Sequence, residues 1–284
     1  MTISTPARRA SVRWIRTGWA LVRACHPEPA LAVTVGVTAL AATVGRSAAG
    51  LVAVAAAVLA GQLATGWSND WLDADRDAAV GRTDKPVATG EVSRRLVGAA
   101  ALVAGAACVP LSLLSGWRAG LLHLAAVGCA LAYNARLKST PFSPVPYALA
   151  FGAAPAFVTL PLPGAPWPPA WLTLAGAALG AGAHFANVVG DLEEDAATGI
   201  RGLPHRLGRR ASEAIAAGLM ALVAIVLTLG PPGPPEPVAW GILATTAVAL
   251  TLGAVLGRRP GSRALFRAVL VAAVCDVALL LLSS

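Results

Sequence analysis

Nine long apolar runs divide most of this 284-residue chain. They cover roughly residues 29–45, 50–68, 94–115, 117–133, 144–162, 169–189, 211–230, 237–256 and 263–282. Most approach the ~20 residues that an α-helix needs to cross ~30 Å of hydrocarbon. The first run is short and the fifth carries Pro146 and Pro155, so their ends are the least sharply marked. Only 13% of the residues are charged, against about 25% in a water-soluble domain, and mean hydropathy is +0.68. The chain therefore reads as an all-α membrane protein with nine transmembrane helices.

Charge placement gives the orientation. Of the 22 Lys and Arg residues, 20 fall in the N-terminus and in every second connection, and only Arg46 and Arg118 lie elsewhere. By the positive-inside rule this puts the N-terminus in the cytoplasm and, with nine spans, the C-terminus outside. The net charge of +8 is thus topogenic, with a share left for phosphate binding, and nucleic acid is not an expected partner. No cleavable signal peptide is evident. Residues 1–28 interleave Arg13, Arg16 and Arg23 with Trp14, Ile15, Trp19 and Leu21, the pattern of a helix lying in the membrane interface. Residues 29–284 then form one transmembrane domain. Cys25, Cys108, Cys129 and Cys275 have neither metal-ligand nor disulfide-framework spacing and read as small core fillers.

The outer connections are short and rich in Pro and Gly, with Trp117, Trp167, Trp171 and Trp240 near them as an aromatic belt. The inner connections 70–93 and 190–210 are long and carry both signs of charge. Of 14 Asp and Glu, only Glu236 and Asp276 lie away from this face. Asp276 is well inside the last span, where a carboxylate is costly and is expected to face the bundle or to be protonated.

At the inner ends of the second and sixth spans the chain writes Asn-x3-Asp-x3-Asp twice: Asn69, Asp73 and Asp77, then Asn187, Asp191 and Asp195. A spacing of four turns about 400° on a helix, so each trio shares one face. Acid at a helix C-terminus opposes the macrodipole and points to a waiting cation. Four carboxylates with two carboxamides suit divalent cations held against a polyanion, most simply Mg²⁺ and a diphosphate. Both helices run outside to inside, so the halves, about 29–143 and 144–284, read as parallel pseudo-repeats that a bundle brings face to face. Arg82 and Lys85 follow the first trio and Arg201 and Arg206 the second, where they would complete a diphosphate clamp. Tyr133, Asn134 and Lys138 stand at the inner end of the fourth span, and Lys138 reaches back over such a pocket. His184, two turns before Asp191, reads as a packed core residue or a substrate contact.

These residues resemble the UbiA family of intramembrane prenyltransferases. NDWLDADRD is similar to the family's first Asp-rich motif, DKPVATGEVS to its Arg-Pro-x-x-x-Gly continuation, and DLEED with the following LP to its second Asp-rich region. The resemblance covers nearly the whole chain. It implies a helical bundle around a central lipid-accessible cavity with a cytoplasmic cap. It also implies Mg²⁺ held by Asp73, Asp77, Asp191 and Asp195 with help from Asn69 and Asn187, and an isoprenyl diphosphate donor bound by Arg82, Lys85, Lys138, Arg201 and Tyr133. The chain departs from the family's Tyr-x3-Lys: Tyr133 is five residues before Lys138, and Asn134 stands at the spacing of four.

The expected chemistry is ionisation of the prenyl diphosphate to an allylic cation and its capture by a lipophilic, aromatic acceptor. A terpene cyclase, in which a double bond of the same chain captures the cation, is the alternative. A transporter is disfavoured because the acids lie at one membrane face rather than at the midplane. The expected location is a bacterial plasma membrane with the active site towards the cytoplasm, and no protein partner is evident.

Overall fold

The computed structural model describes residues 16–258 and 262–283. Among them the chain is helical, with no strand. Helix α1 covers 16–24. It is followed by α2 (Pro27–Thr43), α3 (Ala48–Ala79), α4 (Arg94–Leu113), α5 (Trp117–Ala135), α6 (Val145–Thr159), α7 (Ala170–Ala197), α8 (Leu203–Leu207), α9 (Arg209–Leu229), α10 (Pro237–Leu256) and α11 (Ala264–Ser283). Each expected apolar run falls on one of these helices. Six of them (α3, α4, α7, α9, α10 and α11) are long and apolar enough to cross a membrane. Helices α2, α5 and α6 are shorter, at 17, 19 and 15 residues.

Local chemistry sets the starts. Proline, which lacks the N–H that a first helical turn leaves unused, stands in the first turn of α2, α6, α8 and α10. Ser47 and Ser93 cap α3 and α4 by accepting the amides of Gly50 and Leu96, each at 3.2 Å. Two helices end later than the apolar runs predict. α3 continues to Ala79 and α7 to Ala197, so each acidic trio lies wholly on helix, as its spacing predicts, and the connections begin later than 70 and 190. Both end alike. The amides of Arg82 and Ile200 reach back to the carbonyls of Asp77 and Asp195, at 3.0 and 2.9 Å, and Gly81 and Gly199 take φ of 70° and 82°. This is the Schellman cap, which needs a left-handed residue that glycine supplies without strain. The written repeat is therefore Asn-x3-Asp-x3-Asp-x3-Gly.

The helices close into a ring through contacts of α2 with α3, α3 with α5, α5 with α6, α6 with α7, α7 with α9, α9 with α11 and α11 with α2. One core joins α7, α9, α10 and α11 around Met220, Val223, Leu227 and Leu279. Another joins α2, α3, α5 and α6 around Leu40, Val54, Phe157 and Val158, with Leu280 and Leu281 of α11 against it. Apolar surface is buried in neither case against water alone, so close packing carries the association. The α6–α7 crossing shows it: a Cβ at Gly176 would meet the Phe151 carbonyl oxygen at 2.6 Å, and one at Gly180 would run into the Tyr147 carbonyl. Gly180→Val is accordingly expected to cost about 1–3 kcal/mol by overpacking, read as a lower melting temperature in detergent. Gly218→Ala, with open space around its position, is the matched control and should leave it unchanged.

Helix α1 lies across the start of the acidic segment. Ala20, Ala24 and Leu21 pack with Trp67, Val92 and Val97, Trp67 Nε1 donates to the Leu21 carbonyl at 2.8 Å, and Arg23 pairs with Glu91 at 2.7 Å. Trp19 is exposed, as an interfacial side chain is. Arg13, Trp14 and Ile15 lie outside the described residues. Trp117, Trp167 and Trp240 are exposed near helix ends, while Trp171 packs into the core. All four cysteines are free thiols.

Candidate active site

The C-terminal ends of α3, α5 and α7 meet at one end of the bundle. On α3, Asp73 is buried and accepts both of its carboxylate oxygens' hydrogen bonds from Lys138 Nζ, at 2.6 Å each. Lys138 stands in the short 3-10 turn Leu137–Ser139 that follows α5. Arg76, one turn on, pairs with the same carboxylate. Asn69 donates to Asp73 Oδ2 at 3.2 Å and to Asn134 Oδ1 at 3.4 Å. Asn134, the residue four before Lys138, turns back onto α3 and donates to the Thr65 carbonyl and to Ser68 Oγ, at 2.8 and 2.9 Å. It thereby fixes the end of α5 against α3 and sets Lys138 over Asp73. Asp77 is buried with Lys85, Arg76 and Arg82 in electrostatic reach.

On α7, Val188, Val189 and Leu192 turn into the bundle against Phe266. Asn187 and Asp191 lie on the opposite, open side, and Asp195 is half-buried. His205 of α8 faces Asp195 at 3.4 Å. Burial pushes the Asp195 carboxyl above its usual range; His205 opposes this and the like charge of Asp191 adds to it. Such a carboxylate lacks a full counter-charge. Burial also lowers Lys138, against the pull of Asp73.

The two trios share one field. Lys138 and Arg76 both act on Asp195 across the gap, and Tyr133 lies within reach of Asp73, Asp191 and Asp195 together. Tyr133 itself points into an aromatic cluster, edge-on to Tyr147 at 5.2 Å and to His184 at 5.5 Å. His184 is 1% exposed and meets Ser143 Oγ at 3.1 Å, which also accepts the Leu203 amide; it is a packed residue that ties α7 to the α5–α6 connection and α8.

The remaining basic residues are placed differently from one another. Lys85 donates to buried Asp70 at 2.8 Å, beside His26, which meets the same oxygen at 2.9 Å. This network pins the junction of α1 and α2, where His26 takes a left-handed φ of 56°. Arg82 forks onto Asp84 at 2.7 and 2.8 Å, and this holds the Asp84 carboxyl down at about 2. Arg201 is exposed at the rim, and its carbonyl accepts Arg206 Nε at 3.1 Å. The spacing argument does not single out Arg76, His26 or His205, and it sets Asp70 off the face of the first trio. For Arg76 there was a signal: it stands three residues after Asp73, on the neighbouring strip of the same helix.

The donor set is oxygen throughout, carboxylate and carboxamide, as a hard divalent cation such as Mg²⁺ requires. Among the described residues no three His, Cys, Asp or Glu gather closely enough to hold an ion. Lys138 and Arg76 instead neutralise Asp73, so positive charge already occupies the place where the donor set calls for it. A cavity of about 590 Å³ is present, but it is lined by residues such as Arg46, Leu114 and Pro161 at the far end of α3. The chemistry of the acidic end, rather than that hollow, marks the candidate site.

The model of the UbiA prenyltransferase family matches residues 30–274. No curated protein matches the chain. Among solved structures, an apo UbiA homologue from Aeropyrum pernix K1 superposes with a TM-score of 0.67 at 22% identity, over 88% of this chain and 97% of that one. A UbiA homologue from Archaeoglobus fulgidus bound to GPP and Mg²⁺ gives 0.67 at 19% identity, over 92% and 98%. A digeranylgeranylglyceryl phosphate synthase gives 0.67 at 14%, over 94% and 98%. At these identities the likeness shows the shared fold.

Proposed function

The chain belongs to the UbiA prenyltransferase family, and on that footing we propose that it is a Mg²⁺-dependent intramembrane enzyme that transfers a prenyl group from an isoprenyl diphosphate to a lipophilic, aromatic acceptor. The observation that carries this reading is the pairing of Lys138 and Arg76 with buried Asp73 at the end of α3, while Tyr133 at the end of the neighbouring α5 packs against His184 of α7, the helix that carries the second trio. The A. fulgidus homologue bound to GPP and Mg²⁺ supports it. Asp73, Asp77, Asp191 and Asp195 would hold Mg²⁺, with Asn69 and Asn187 assisting. Bound there, the metal would neutralise the diphosphate as a leaving group. Lys138 and Arg76 stand where charge develops on the departing diphosphate, and Arg82, Lys85 and Arg201 at the rim would complete the clamp. Lys85 would have to exchange Asp70 for phosphate oxygens. The half-buried rings of Tyr133 and Tyr147 face the same space, beneath the charged end, where the prenyl carbons would lie away from water.

The same reading has nine membrane crossings, two parallel pseudo-repeats, a central cavity between them, and the acidic end in the cytoplasm of a bacterial cell. The 20-to-2 division of basic residues supports that orientation.

Purified protein given Mg²⁺ and geranyl or longer prenyl diphosphates, with and without aromatic acceptors, tests the activity. Release of diphosphate only with an acceptor, together with a prenylated product, is expected. A cyclic hydrocarbon or alcohol formed without acceptor would sink transfer and identify a cyclase on the same site.

A further inference from the structure

Arg46 and Arg118 are the two basic residues that stand apart from the other 20. Their surroundings differ. The Arg118 guanidinium lies over the Trp167 ring, 5.5 Å from its centroid, a cation–π contact that suits an interfacial position. Arg46 lies in the α2–α3 connection. Its Nη2 reaches Ser115 Oγ only at 3.5 Å, and its Nε is buried without a hydrogen-bond acceptor. A buried guanidinium nitrogen left unpaired is unfavourable, and the positive-inside rule already disfavours the charge on this side.

The same side chain borders the cavity of about 590 Å³. Ser47, Ala53, Leu114, Pro161 and Leu162 line it with Arg46, and no Asp or Glu does. Leu114, beside the buried Ser115, is 68% exposed, so the cavity is flanked by lipid-compatible surface. Its depth follows from helix geometry. Asp73 lies 26 residues beyond Ser47, the N-cap of α3, about 39 Å at 1.5 Å per residue, close to the ~40–45 Å of a bilayer measured across its headgroup regions. With the acidic site at one headgroup level, the cavity lies at the other.

We propose that this cavity binds the phosphate of an anionic phospholipid headgroup in the opposite leaflet from the active site. The guanidinium is the element that selects phosphate, because its planar fork matches two phosphate oxygens and its Nη2 is held only loosely, by Ser115 Oγ at 3.5 Å. The Ser47 and Ser115 hydroxyls stand beside it. Leu114, Pro161 and Leu162 meet the glycerol and the first acyl carbons, which makes a lipid rather than a free anion the occupant.

Native mass spectrometry of the full-length protein, released from nanodiscs of mixed phosphatidylglycerol and phosphatidylcholine, tests this. The wild-type protein should retain one phosphatidylglycerol per chain with at least a tenfold preference over phosphatidylcholine. Arg46→Gln should lose that preference, and Arg118→Gln should keep it. Ala53→Phe fills the cavity and leaves the guanidinium in place; it should also lose the lipid, and it decides the matter if Arg46→Gln does not fold. Wild-type occupancy in Ala53→Phe or in folded Arg46→Gln, or no preference in the wild type, overturns the proposal. So does a thermal shift from inorganic phosphate or glycerol phosphate as large as that from phosphatidylglycerol, since the site would then be for a small anion.

Discussion

Asp73→Ala and Asp191→Ala, each made in the full-length protein, should lower turnover of prenyl diphosphate by about 10³-fold or more. The two residues come from helices 118 positions apart, and each supplies the middle carboxylate of its trio. On the proposed reading, losing either would remove a metal ligand and with it part of the positive charge held against the diphosphate. Folding is a separate matter. Asp73→Ala strands Lys138, whose side chain is 8% exposed, and breaking a buried pair from one side costs about 3–5 kcal/mol. The variant should therefore melt several degrees lower, yet remain monodisperse in detergent. Asp73→Asn keeps an oxygen for Lys138 and separates the two effects: it should recover much of the stability and little of the activity. Asp75, 86% exposed and paired with Arg94, is the control, and Asp75→Ala should stay within about threefold of wild type because an exposed pair is worth little. A near-wild-type rate for Asp73→Ala or Asp191→Ala would refute the metal assignment.

Lys138→Met should lower kcat by about 10²- to 10³-fold, the usual loss when one preorganised donor is taken from a site of developing negative charge. It should also give the protein a new dependence on metal. Without Mg²⁺, Lys138 covers both oxygens of Asp73; in the variant Arg76 is left as the paired cation, with Asn69 as a neutral donor, on a carboxylate that is 9% exposed. The variant should be less stable than wild type in chelator by about 3 kcal/mol, and millimolar Mg²⁺ should restore more of its melting temperature than it adds to the wild type, because a bound cation takes over the lost charge. Thermal melts of both proteins, with chelator and with Mg²⁺, read this directly. An equal Mg²⁺ shift in the two proteins would mean that Lys138 and the metal do not compete for Asp73, and the placement of the metal on that residue would be wrong.

Much of the architecture was legible along the chain because a bilayer imposes its thickness on every segment that crosses it. The nine apolar runs and the helical fold of the described residues are consequences of that single constraint, and each run falls on a helix. The helix ends were read too early. Hydropathy stops at the first charged residue, whereas a helix stops where its backbone is capped, at Gly81 and Gly199. The glycine four residues after each last Asp was visible in the sequence, and its doubling was as plain as that of the acids.

The ligand-type residues were legible for a different reason: repeats of four place side chains on one helical face whatever surrounds them. Which basic residues serve those acids was not legible, because Arg and Lys look alike in a topogenic loop and in a site. Lys138 and Arg76 meet Asp73, while Lys85 is held by Asp70 and His26 and Arg82 by Asp84. The exchange at the end of α5 belongs here as well. Asn134, at the spacing where the family places tyrosine, is turned onto α3, and Tyr133 one residue earlier is swung by about 100° into the cluster with Tyr147 and His184.

Hydrophobic length and helical period are local properties, so a membrane-embedded helical protein and the shared face of each Asn-x3-Asp-x3-Asp trio can be read along the chain. Which cations stand on Asp73, and that Arg46 is left at the other end of α3 beside a cavity lined by no Asp or Glu, are seen only in three dimensions. Those are properties of helices meeting in space, and no spacing along a single chain specifies which neighbour a long flexible side chain will reach.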